Sequence, residues 1–125
     1  MAVFDTNVII DFLNGSEAAS TIIKKYKESG AAITSITCYE LIKGIDGSQK
    51  DLLQTLFDNV KIYDTDLKAA WLAGETYKHL RSSGSLLSEA DLLIVSTAFA
   101  NGENFVTQDK DFERLKDRRI IIVHE

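Results

Sequence analysis

The sequence predicts an α/β fold, a parallel sheet with helices packed on both faces. Three observations support that class. Short apolar, β-prone runs alternate with segments of helical periodicity along the whole chain. One late segment, Leu92 to Ala100, is apolar on nearly all sides, as a helix at the centre of such an assembly must be. The chain has 125 residues, 45% hydrophobic and 26% charged, which fits one domain with a real core.

The elements follow in order. Ala2 to Phe4 is a short strand that ends at Asp5. A helical stretch runs from Asn7 to Leu13 and stops near Asn14-Gly15, although Val8-Ile9-Ile10 could also extend the strand. Ser16 is placed to cap a helix running to Glu28, with Gly30 as its stop. Ala31 to Thr34 is the second strand. Thr37-Cys38-Tyr39-Glu40 has the pattern of a capping box opening a short helix to Gly44. Ser48 is expected to cap another helix, to about Phe57, and Val60 to Tyr63 is the third strand.

From Asp66 the helical period is the clearest on the chain. Leu67, Ala70, Trp71, Gly74, Tyr77 and Leu80 share one face, and the helix ends near Gly84. Ser88-Glu89-Ala90-Asp91 is a second capping-like start, for the apolar helix that Gly102 ends. Asn104 to Thr107 is the fourth strand, a short helix carries Phe112 and Leu115, and Ile120 to Val123 is the fifth strand. The chain contains no proline, so glycines and capping residues must punctuate it. There is no internal repeat, low-complexity segment or linker.

Composition excludes several classes. A net charge of −5 and a pI near 5.0 argue against a protein that grips nucleic acid through a broad basic surface. Lys110, Arg114, Lys116, Arg118 and Arg119 gather near the C-terminus, as a local phosphate-contacting patch or simply a solvated face. The lone Cys38 cannot form an internal disulfide and suits a reducing compartment. The longest apolar run is too short to span a membrane, and the N-terminus has no signal-peptide character, so a cytoplasmic location is expected.

The most informative residues are four acids at the hand-over from strand to helix: Asp5, Glu40, Asp91 and Asp109. In a parallel α/β sheet, ligands bind outside the carboxyl ends of the strands. Acids at these positions can therefore project from one edge. Carboxylates brought together repel one another and raise one another's pKa, unless a cation such as Mg²⁺ or Mn²⁺ sits among them. Each acid also has a plainer explanation as a helix cap or a complement to the helix dipole. Capping, however, is equally served by Ser, Thr or Asn. Thr6 and Asn7 beside Asp5, and Thr107-Gln108 before Asp109, are polar neighbours suited to orienting carboxylates. Asp111 stands near enough to be a fifth ligand, although a solvated position suits it better. Asp11, Asp46, Asp51, Asp58, Asp64, Asp66 and Asp117 read as surface or capping residues. His79 and His124 have no partner that would suggest nucleophilic catalysis, and no glycine-rich phosphate loop is present.

These residues lie in four segments that resemble, in order and spacing, the motifs of PIN-domain ribonucleases, and among them the VapC-type toxins of toxin–antitoxin pairs. The segments are FDTNVIIDFL, TCYELIKG, LLSEADLLIVSTAFANG and NFVTQDKDFERL. Val95-Ser96 departs from the small alanines commoner there. The resemblance implies a three-layer PIN-like domain with a five-stranded parallel sheet in the order 3-2-1-4-5. It implies Asp5, Glu40, Asp91 and Asp109 as the catalytic, metal-holding acids, with Thr6, Asn7 and Thr107 in support. It also implies Mg²⁺ or Mn²⁺, an RNA substrate, a small antitoxin partner and a homodimer.

The expected chemistry is hydrolysis of RNA phosphodiester bonds, with the metal lowering the pKa of water and one carboxylate, Asp91 or Asp109, taking its proton. Lys43, Lys50, Arg81 and Arg114 are candidates for contacts that set specificity. Three rivals remain. A receiver-type phosphoacceptor domain would use Asp64 after the third strand, but it wants paired acids after the first, where Thr6 and Asn7 stand. An aspartate-nucleophile phosphatase would need a second aspartate where Asn7 stands. A non-catalytic PIN-like module would only bind RNA or protein.

Overall fold

The computed structural model describes residues 1–123; His124 lies outside the described residues. Five strands, β1 (Ala2–Phe4), β2 (Ala31–Thr34), β3 (Lys61–Tyr63), β4 (Asn104–Thr107) and β5 (Ile120–Ile122), form one sheet in the order β3-β2-β1-β4-β5. Every neighbouring pair is parallel. This is the order that the resemblance implied. The strand sequence reverses direction at β1, which lies between β2 and β4, so the ends of these three strands form the natural ligand edge.

Six α-helices connect the strands: α1 (Thr6–Leu13), α2 (Glu17–Lys25), α3 (Ser35–Gly44), α4 (Lys50–Asn59), α5 (Leu67–Ser82) and α6 (Glu89–Ala100). Two 3₁₀ segments, Gly47–Gln49 and Lys110–Leu115, complete the connections. The period-2 alternation of the strands builds two cores. Val3, Ala32 and Phe105 face one side and pack with Leu92, Ile94, Val95 and Phe112. Ala2, Phe4, Ile33 and Val106 face the other and pack with Val8, Ile9, Leu41 and Leu53. Phe105 and Phe112 meet at 5.0 Å between ring centroids, which ties the Lys110–Leu115 segment to β4.

The Val8-Ile9-Ile10 run is helical. Asp5 caps α1 at once by accepting from the Thr6 N–H, and the chain cannot continue the strand beyond that turn. α2 stops at Lys25 rather than Glu28, and turns carry the chain to Gly30, whose φ of +98° few residues but glycine adopt readily.

Two expected caps are displaced. Thr34, the last residue of β2, caps α3 by accepting from the Thr37 N–H, so Thr37 lies inside the helix, and Glu40 stands in its middle rather than its first turn. Asp46, not Ser48, caps the next segment. In both places a competent acceptor lay earlier in the sequence and the helix began there.

The face of α5 is also different from expectation. Ala69, Ala73 and Leu80 are its buried residues, whereas Leu67 and Trp71 are 78% and 69% exposed. Small residues allow α5 to lie close against the bulky α6. The apolar face read from the periodicity thus splits: Leu80 stays in the core, whereas Leu67 and Trp71 point outward.

Candidate active site

Asp5 follows β1 directly, and its N–H donates to the Val106 carbonyl at 2.8 Å, extending the ladder with β4. The residue is only 4% exposed. Oδ1 accepts from the Thr6 N–H at 2.8 Å and Oδ2 accepts from the Thr107 hydroxyl at 2.7 Å. Thr107 Oγ1 in turn accepts from the Asp109 N–H at 3.0 Å. One buried hydroxyl therefore joins the acid after β1 to the backbone of the acid after β4.

A second hydroxyl reaches the other way. Thr6 donates to Glu40 Oε1 at 2.6 Å, and its Oγ1 lies 3.0 Å from Thr37 Oγ1. Thr34 and Thr37 are both fully buried beneath it. Nothing in the sequence singles out Thr37 as a site residue beyond its resemblance to a cap. Its contact with Thr6 spans two motifs, which no local pattern reveals.

Asp91 is the third residue of α6, whose N-cap is Ser88. It hydrogen-bonds to none of the other three acids, but it shares their field. Burial raises the Asp91 carboxyl above the usual carboxylate range, opposed by a hydrogen bond to Ser88 and reinforced by the charges of Asp109, Glu40 and Asp111. Burial likewise pushes Asp5 up to about 6, against the lowering effect of Thr107 and Thr6, with the charges of Asp91 and Glu40 adding to the rise. The acids from the β1 end, α3, α6 and the β4 end thus act on one another across a single edge.

Among the described residues no ion pair involves any of these four acids; the ion pairs join Lys78 to Glu75, Arg114 to Asp111 and Arg119 to Asp117. Like charges without basic partners call for a cation from solution. The donor set is hard oxygen, the type suited to Mg²⁺ or Mn²⁺. Yet among the described residues no three His, Cys, Asp or Glu side chains stand close enough to chelate one ion by themselves. The arrangement fits an ion that keeps part of its water shell, as Mg²⁺ does when one or two carboxylates bind it.

The remaining candidates separate. Asn7 lies beside the site, its Oδ1 3.5 Å from the Gln108 N–H. Asp111 is exposed and paired with Arg114 at 3.4 Å. Asp11, read as a surface residue, instead accepts from the Gln108 side chain at 3.0 Å. The C-terminal basic cluster is partly spent within the fold. Arg114 donates to the Leu86 carbonyl, and Arg119 is held by Asp117 and lies 3.8 Å over the Phe99 ring. Asp64 is exposed after the edge strand β3, and none of the four acids hydrogen-bonds to it.

The chain is similar to known proteins over most of its length. The PIN domain family profile matches residues 2–118. Ribonuclease VapC3 of Methanocaldococcus jannaschii is 35% identical over 95 residues, 76% of this chain and 95% of that protein. Ribonuclease VapC1 of the same organism is 30% identical over 115 residues, 90% of this chain and 79% of that protein. Among solved structures, DNA-bound VapBC from Salmonella typhimurium superposes with a TM-score of 0.86 at 25% identity, over 98% of both chains. A toxin–antitoxin complex from Klebsiella pneumoniae superposes with a TM-score of 0.83 at 22% identity, over 100% of this chain and 99% of that one. The four acids lie at the switch in strand order, and both the profile and the curated relatives span most of the chain: it belongs to the PIN-domain family, alongside the VapC ribonucleases.

Proposed function

We propose that this protein is a metal-dependent endoribonuclease that hydrolyses RNA phosphodiester bonds and serves as the toxin of a toxin–antitoxin pair. The observation that carries the reading is the set of four acids that, among the described residues, form no ion pair: Thr107 joins Asp5 to Asp109, Thr6 holds Glu40, and Asp91 shares their field. Asp5, Glu40, Asp91 and Asp109 would hold Mg²⁺ or Mn²⁺, in part through water. When bound, such an ion lowers the pKa of water and offsets charge developing on the phosphate.

The chain's own residues divide the remaining work. Asp5 is buried with both oxygens engaged, so its role is to anchor. Thr6 orients Glu40 and Thr107 orients Asp5. Asp91 is only half-buried, with its carboxyl raised above the usual carboxylate range by burial, and it is the best placed to accept a proton from an attacking water. A shallow edge of this kind suits single-stranded or looped RNA, whose phosphates are accessible.

Two surfaces support the partners. A groove of about 550 Å³ runs between α2 and α4, floored by Phe4, Ile9, Ile23 and Leu56, and Lys24, Lys27 and Lys61 also line it. Among the described residues its lining holds no acid, on a chain of net charge −5, so it suits an apolar antitoxin segment with acidic flanks. Leu67 and Trp71, exposed on α5, suit a homodimer contact. Among the described residues no helix is long and apolar enough to cross a membrane, which is compatible with work in the cytoplasm.

The lack of a ready chelating trio favours one second reading, a PIN-like module that binds RNA without cutting it. Purified protein freed of any antitoxin, incubated with structured and unstructured RNA in Mg²⁺, Mn²⁺ or EDTA beside Asp5→Asn, separates the two. Metal-dependent cleavage that the substitution abolishes establishes the ribonuclease. Binding without cleavage in either metal establishes the module.

A further inference from the structure

A contact outside the acidic set joins the first motif to the fourth. We propose that Gln108 and Asp11 are positioning residues that clasp the Asp109 loop to α1 and set the metal affinity of the site, an inference that rests on the metal-dependent reading above. β4 ends at Thr107 and Asp109 caps the 3₁₀ segment Lys110–Leu115, so Gln108 is the only residue between them. The Gln108 Nε2 donates to Asp11 Oδ2 at 3.0 Å, and the Gln108 N–H points to Asn7 Oδ1 at 3.5 Å. Asn7 and Asp11 are four residues apart on α1, hence one above the other on the same helix face.

The consequence is geometric. α1 starts at Asp5, its N-cap, and through Asn7 and Asp11 it also holds the residue before Asp109. The two acids are therefore fixed to one rigid element as well as to each other through Thr107. The hydrogen bond to Asp11 is assisted by the carboxylate charge and is partly buried, which places it among the stronger side-chain contacts. Without it, the Asp109 loop keeps the Thr107 hydroxyl and its cap on the 3₁₀ segment, but its tie to α1 falls to the 3.5 Å contact with Asn7. Displacements of about 1 Å in a positioned group cost up to about 100-fold in rate.

The test compares Gln108→Ala, Asp11→Ala, Asp11→Asn and the double alanine variant with the unaltered protein. Three quantities are read: Mn²⁺ affinity by calorimetric titration, kcat and KM on one RNA, and the thermal midpoint in EDTA. Gln108→Ala and Asp11→Ala are expected to weaken Mn²⁺ binding severalfold and lower kcat about tenfold, with KM little changed and the EDTA midpoint lowered only as the loss of one partly buried hydrogen bond requires. Asp11→Asn keeps an acceptor oxygen without the charge and should recover most of both values, and the double variant should match either single one. Unchanged Mn²⁺ affinity in both alanine variants overturns the clasp. So does Asp11→Asn behaving like Asp11→Ala, because charge and not the hydrogen bond would then matter. If the unaltered protein binds Mn²⁺ but cuts no RNA, the ribonuclease reading fails while the titration still decides the clasp. If it binds no Mn²⁺ at all, both fail.

Discussion

Thr107 donates its hydroxyl to Asp5 at 2.7 Å across a separation of 102 residues, and the same oxygen accepts the Asp109 N–H. A buried carboxylate, the hydroxyl that stabilises its charged form and a second acid are thereby one unit. Removing the hydroxyl takes the donor from Asp5 Oδ2 and the acceptor from the Asp109 N–H together.

Thr107→Val keeps the shape and deletes the hydroxyl. Loss of a hydrogen bond to a buried charged group costs about 1–3 kcal/mol, so urea denaturation at pH 8 should show a lower midpoint with an unchanged slope. Mn²⁺ affinity should fall as well. Thr107→Ser should recover most of both losses, and its failure to do so would assign the effect to packing.

Asp5 gives a pH signature. Its carboxyl is raised from 3.8 to about 6 in the folded protein, so the folded state binds more protons than the unfolded state between those values. In EDTA, the contribution of Asp5 to stability is greatest below about pH 4, declines as pH rises through about 6, and is level above that. Full ionisation costs at most roughly 3 kcal/mol. Metal-free Asp5→Asn should therefore be more stable than the unaltered protein at pH 8, and should lose most of that advantage by about pH 4. Thermal melts across this range decide it; equal pH slopes for the two proteins would contradict the assignment.

Metal should reverse the penalty. Binding requires the charged carboxylates, so saturating Mn²⁺ at pH 8 should raise the thermal midpoint, and at 100-fold excess over Kd the gain is about 2.7 kcal/mol. As pH falls through about 6, protonation of Asp5 competes and the gain should shrink. Asp5→Asn should show little gain at any pH. A shift equal in both proteins would place the ion elsewhere.

The α2–α4 groove predicts a separation of functions. Lys24→Glu with Lys27→Glu should weaken capture of an acidic antitoxin segment at least tenfold, with more effect at low salt, while leaving RNA cleavage intact. Titration calorimetry with the cognate antitoxin, alongside a cleavage assay, reads both. Unaltered affinity in the double variant would remove the groove from consideration.

Trp71→Glu, on the exposed face of α5, should shift the protein from dimer to monomer in sedimentation without changing the EDTA thermal midpoint of the monomer. A dimer that survives the substitution would place the contact on another surface.

Much of this molecule is written locally. Strands and helices alternate with caps such as Ser16, Asp66 and Ser88, which need only their own neighbours, and period-2 and period-3.6 burial follow from backbone geometry. The sequence alone therefore determined the α/β class, the element order and the placing of Asp5 and Asp109 after strands. Its resemblance to a family supplied the strand order. Tertiary structure decided the remainder, because those choices compare partners far apart in the chain. Thr34 outcompeted Thr37 as the cap of α3, and this set Thr37 under Thr6 and turned Glu40 toward the Thr6 hydroxyl. Close packing on α6 selected Ala69 and Ala73 for burial and left Leu67 and Trp71 outside. Asp11 had the appearance of a surface acid until the loop after β4 brought Gln108 to it. A hydrogen bond between residues 97 apart has no periodicity and no local signature; only the closing of β1 against β4 creates it.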